Sequence, residues 1–95
     1  MSDYTLAHFA PYIGDGFDVA EAPEACWVLS EATGYGQATD PARHDAFSLL
    51  FRGAPDPVFA QQTVTLVHPA IGEQAIFVTP IAQDAEGVTY QAVFN

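Results

Sequence analysis

The chain reads as an all-β, mainly antiparallel domain: a small β-barrel or two-layer sandwich of six strands with a short N-terminal helix. Three observations lead there. Apolar and polar residues alternate along most of the chain, the period of a half-buried strand. Short turns bearing proline or glycine separate the alternating runs. Helical spacing occurs only near the N-terminus. One domain spanning residues 1–95 is expected, since a chain of this length buries roughly 60–65% of its unfolded surface, enough for one modest core.

Leu6, Phe9, Ala10 and Ile13 form one apolar stripe at helical spacing, and Thr5 suits an N-cap. Pro11 has no N–H for the carbonyl of Ala7, so the helix over Thr5–Tyr12 is short and ends by Gly14. It is placed to plug an open end of the sheet. Phe17 and Val19 then share one face of a first strand. In Glu24–Glu31, Ala25, Trp27 and Leu29 face one way and Cys26, Val28 and Ser30 the other. Thr33–Arg43, with two glycines and a proline, reads as a long loop. His44–Arg52 is the clearest half-buried strand, with Phe47, Leu49 and Phe51 on one face. Gly53–Pro57 breaks it, because its two prolines do not suit a central ladder.

Val64 and Leu66 alternate with Thr63, Thr65 and Val67 in the next strand. Pro69-Ala70-Ile71-Gly72 is a turn in which proline sets φ early and glycine supplies positive φ late. Glu73–Ile81 returns as its hairpin partner, with Pro80 expected at an edge or strand end. Gln83–Gly87 makes a second hairpin loop, with Gly87 expected in a left-handed conformation. Val88, Tyr90, Ala92 and Phe94 share one face of the last strand. The predicted core is Phe47, Leu49 and Phe51, joined by Leu66, Phe77, Tyr90 and Phe94. Sequential hairpins imply a meander whose open sheet leaves edges, some blocked by Pro55, Pro57 and Pro80.

The chain has two basic and twelve acidic residues, no lysine, and a net charge of −10. That sign repels phosphate, which argues against a nucleic-acid groove or an anionic-membrane anchor. With 49% hydrophobic residues and only 15% charged, disorder is excluded as well. The lone Cys26 cannot form a bridge within the chain and points to a reducing compartment. The N-terminus lacks the basic and apolar regions of a signal peptide, and the longest apolar runs are strand-sized. A soluble, cytoplasmic protein is expected.

The search for chemistry leaves catalytic, cofactor and metal sites all empty. His8 and His68 have no ligand at metal spacing. His44 has Asp45 beside it and Asp40 four residues earlier, but Pro41 interrupts any helix between them. Asp15-Gly16-Phe17-Asp18 and Asp84-Ala85-Glu86-Gly87 look like calcium loops without the alternating oxygens or the closing glutamate, and turn chemistry explains both. Ser30 and Ser48 lie within strands, outside any nucleophile elbow. Cys26, near Glu24, reads as a buried structural residue, because a negative neighbourhood disfavours the thiolate. Arg43 and Arg52 read as partners of surface carboxylates, with Arg52 alternatively an anchor for buried oxygens.

Several strings carry a resemblance: Thr5-Leu6-Ala7-His8-Phe9 with Ile13-Gly14-Asp15 and Phe17; Phe47 to Gly53; His68 to Glu73; Phe77-Val78-Thr79-Pro80; and Tyr90 to Asn95. They resemble an uncharacterised family of small bacterial proteins, a domain of unknown function often encoded beside phage-tail-collar-like or tail-fibre-like proteins. The resemblance covers nearly the whole chain, thinnest between Ala20 and Asp45. It implies a tail-like context and no catalytic residues. The expected function is therefore a non-enzymatic structural or adaptor domain of a phage-tail-like or surface-fibre assembly. The alternative is an acidic, immunity-like module that captures a basic protein partner. Docking would use a strand edge, the acidic surface or an apolar patch around Tyr35. A small hydrolase with scattered carboxylates is a third class, for which no pair among the twelve stands out.

Overall fold

The computed structural model describes residues 6–34, 46–55 and 58–94, apart from the Pro23 side chain. Most of the expected loop, with Tyr35, Asp40, Pro41, Arg43, His44 and Asp45, lies outside the described residues, as do Thr5, Asp56 and Pro57.

The elements run α1 (Leu6–Phe9), a 3₁₀ turn (Ala10–Tyr12), β1 (Gly16–Val19), β2 (Ala22–Gly34), β3 (Phe47–Gly53), β4 (Gln62–His68), β5 (Gly72–Asp84) and β6 (Gly87–Phe94). Every strand pair is antiparallel, and the six close into a barrel ordered β1-β2-β3-β6-β5-β4. The predicted barrel with an N-terminal helix is correct; the open meander is not. Two three-stranded meanders are joined so that β3 meets β6 and β1 meets β4, which removes the sheet's outer edges. No helix among the described residues is long and apolar enough to cross a membrane.

Closure depends on a short seam. β1 and β4 share only the register pairs Asp18–Val67 and Val19–Leu66. The Ala20 N–H adds a bond to the Thr65 carbonyl at 2.9 Å. Beyond it the Glu21 carboxylate accepts from the Thr65 N–H at 2.8 Å and its hydroxyl at 2.9 Å. These bonds hold the Glu21 pKa below its ordinary value, the backbone N–H contributing most. Asp84 is lowered too, first by hydrogen bonding to the Arg52 guanidinium 3.0 Å away and then by the Glu86 N–H.

Carboxylates lowered in the folded state stabilise it above their unfolded pKa, and that contribution disappears as pH falls through the folded value. Acidification from neutral to about pH 3 is therefore expected to lower the urea midpoint. A Glu21→Gln, Asp84→Asn double variant should show a smaller drop over the same range; equal drops in the two proteins would refute the assignment.

The core follows the alternation. Phe17, Val19, Trp27, Leu29, Phe47, Leu49, Phe51, Val64, Leu66, Val88, Tyr90 and Ala92 are all buried. Phe77 is a correction: it is 54% exposed, while Gln74, Ile76 and Val78 point inward. Its register partner is the exposed Thr63, whereas Ile76 faces the buried Val64. Phe94 is half-buried and stacks on Phe47, ring centroids 4.6 Å apart. β2 also continues through Thr33 and Gly34, so the loop expected from Thr33 starts later.

One barrel end is plugged as expected. Phe9 is fully buried among Phe47 and Phe94. His8 Nε2 lies 3.3 Å from the amide oxygen of buried Gln74, whose amide nitrogen donates to the Ile71 carbonyl at 2.6 Å. The glycine at the Pro69–Gly72 turn has φ +73°, as read from the sequence. Gly87 is a second correction, since it is not among the positive-φ glycines. It is required because a Cβ there would sit 2.3 Å from the Gly53 carbonyl oxygen. Pro80 lies beyond the last β4–β5 pair, Gln62–Val78, and beside an irregularity in the β5–β6 ladder, where its missing N–H is tolerated.

Candidate functional site

The end of the barrel opposite α1 is where the topology leaves something unfinished. β3 and β4 are consecutive in the chain but three places apart in the barrel, so their connection must cross this mouth. It brings Phe59 edge-on to Trp27, ring centroids 5.5 Å apart, and the Phe59 N–H donates to the Tyr90 hydroxyl at 2.9 Å. Trp27 in turn stacks on Tyr90 at 4.0 Å and 9°. Gly53 permits that stack: a Cβ there would lie 2.7 Å from the indole.

A length mismatch does the rest. β2 has 13 residues and β3 only 7. Their register runs from Val28–Arg52 to Gly34–Phe47, and Gly53 lies against Trp27, so among the described residues Ala22–Cys26 lies past the end of the β2–β3 ladder. A pocket of about 260 Å³ adjoins this stretch. Buried Trp27, half-buried Phe59, three alanines (Ala22, Ala25 and Ala54) and the exposed Cys26 and Glu24 line it.

Cys26 is thus a correction to the buried reading. It projects outward with Val28 and Ser30, opposite Asp18 in register, and its Sγ covers Gly16. Asp18 and Glu24 are both exposed, and among the described residues no cationic side chain bridges either of them. Arg52, the register partner of Val28, directs its guanidinium to the Thr89 hydroxyl and to Asp84, both at 3.0 Å. It is a surface ion-pair partner, the first of its two readings. Glu24 is the one charged residue among the described residues lining the pocket.

The other singled-out residues lie elsewhere and do structural tasks. The Ala70 N–H donates to His68 Nδ1 at 3.0 Å, which leaves Nε2–H as the donor to Asp15 at 2.9 Å. That bond engages Asp15 with His68, and among the described residues the first calcium-like string belongs to no cluster that could hold a metal ion. Asp84 accepts from the N–H groups of Glu86 and Gly87, the ordinary behaviour of a turn aspartate. The Ser30 hydroxyl donates to the Leu50 carbonyl, and Ser48 is buried. Among the described residues no three His, Cys, Asp or Glu side chains gather where they could hold a metal ion. What the mouth can do is present backbone hydrogen-bonding groups, an apolar recess and negative charge side by side.

Sequence reasoning missed this place. The only available signal was the long run of strand-compatible residues from Ala22 to Gly34 against the shorter run before Gly53.

No curated protein and no solved structure matches the chain. A family model described as Domain of unknown function (DUF6916) matches residues 4–94. The chain belongs to that family, whose model takes in the helical plug, all six strands and the mouth alike.

Proposed function

We propose that this domain is a non-enzymatic structural or adaptor unit that docks onto a larger protein in a bacterial phage-tail-like or surface-fibre assembly. The observation that carries the reading is the part of β2 around Cys26, which pairs with Asp18 of β1 and lies past the last β2–β3 register pair, Val28–Arg52, on its other side. Such an edge accepts a partner's main chain. The partner is a protein rather than nucleic acid or membrane, because a net charge of −10 repels phosphate. Synthesis in the cytoplasm fits the lone cysteine.

Glu24 at the pocket favours a second reading, an immunity-like module that captures a basic protein. Affinity-tagged full-length chain, recovered from its native host, separates the two. Retention of fibre or collar proteins is the expected result; a single soluble basic protein would select the second reading. Turnover of a small-molecule substrate, abolished by one carboxylate substitution without unfolding, would overturn both.

A further inference from the structure

We infer that the edge at Glu24–Cys26 takes an extended, basic segment of the partner by strand addition, with one apolar side chain of that segment seated in the adjoining pocket. This rests on the docking role proposed above and names its chemistry.

The backbone geometry comes first. Leu29 exchanges bonds with the β1 side, its carbonyl accepting from the Gly14 N–H at 2.7 Å and its N–H donating to the Asp15 carbonyl at 3.1 Å. In a strand the main-chain groups of successive residues alternate sides. Val28 and Cys26 therefore present theirs toward β3. Val28 has Arg52 there; Cys26 lies past the last β3 pair, with no strand beside it among the described residues. An incoming strand would continue the ladder that β3 leaves short.

Pocket size supports a side chain as the occupant. At about 260 Å³ it is smaller than the roughly 300–1,000 Å³ of sites for drug-sized ligands. Trp27, Phe59 and the alanines offer apolar contact, while the peptide's own backbone would satisfy the edge. Charge selects the flanking residues: exposed Glu24 lines the pocket two residues from Cys26 on the same face of β2, favouring arginine or lysine next to the apolar anchor. It also argues against a second copy of this chain, since two edges of the same strongly acidic protein repel.

The test uses the full-length, ¹⁵N-labelled protein and a blocked heptapeptide, Arg-Val-Arg-Phe-Arg-Val-Arg. Two comparisons accompany it: the same peptide with glutamate for every arginine, and two isomers N-methylated at alternate residues, one for each strand register. The expected result is saturable shifts of the Glu24–Trp27 amides and the Trp27 indole. Affinity should fall at least about tenfold for the glutamate peptide and for one N-methylated isomer. Glu24→Lys, at an exposed position, should weaken binding without lowering Tm.

Absence of saturable shifts up to about 1 mM peptide would overturn the inference. So would shifts centred on the exposed Phe77, Ile81 and Val93, or equal binding of all four peptides. If the inference fails while fibre or collar proteins are still retained from the host, docking stands without strand addition. Edge binding of the peptide with no fibre, collar or basic protein retained would uphold strand addition and overturn the proposed docking role.

Discussion

Phe51→Ala is expected to remove about 3–5 kcal/mol of stability, a large share of the ~5–15 kcal/mol typical of a whole domain. Phe51 is fully buried in β3, between Leu29 of β2 and Tyr90 of β6. Its ring meets Phe17 edge-on at 5.6 Å and Trp27 at 6.4 Å, so truncation would leave a void between aromatic neighbours from two other strands. Relaxation into that void is limited, because Trp27 is already held by Tyr90 and Phe59. Urea unfolding followed by tryptophan fluorescence measures the loss. A variant as stable as the parent would mean that Phe51 does not occupy the centre of the core.

Gly87→Ala is expected to cost about 1–3 kcal/mol or more, although it adds a single methyl group. The new Cβ would lie 2.3 Å from the Gly53 carbonyl oxygen. Neither backbone can move freely: Gly53 pairs with Val88 in the β3–β6 ladder, and the Gly87 N–H is tied to Asp84 at 3.0 Å. Gly72→Ala is the comparison, since its Cβ meets nothing within 4 Å and its cost comes from φ +73° alone, about 1 kcal/mol. The expected order of urea midpoints is parent, Gly72→Ala, Gly87→Ala. Gly87→Ala unfolding at the parent's midpoint would refute the close approach.

Strand positions and most of their faces were legible because alternation is a local property. Cys26 shows how that signal can be overruled wrongly: its neighbours Trp27 and Leu29 already place it on the outer face, whereas an acidic neighbourhood that disfavours a thiolate suggests burial. Phe77 shows the limit of the signal itself. β5 carries apolar residues at both parities, with Ala75 and Phe77 against Ile76 and Val78, so side-chain size suggests the wrong face. Only pairing with Val64 decides it. Barrel order was not legible, since the β3–β6 and β1–β4 contacts join segments with no local signature. The mouth inherits that difficulty, being made where two strands of unequal length meet.

The β1–β4 seam bears on how the protein survives its own fluctuations. A ladder of two register pairs is the cheapest part of the barrel to break, so transient opening begins there. Each opening briefly bares two hydrogen-bonding edges, the kind of surface through which β proteins aggregate. On this chain those edges come with Asp18 and Glu21, within a molecule of net charge −10. Two opened molecules meeting edge to edge bring like charges together before any hydrogen bond can form. The acidity that argues against a nucleic-acid partner thus also acts as a guard against self-association during the moments when the barrel is ajar.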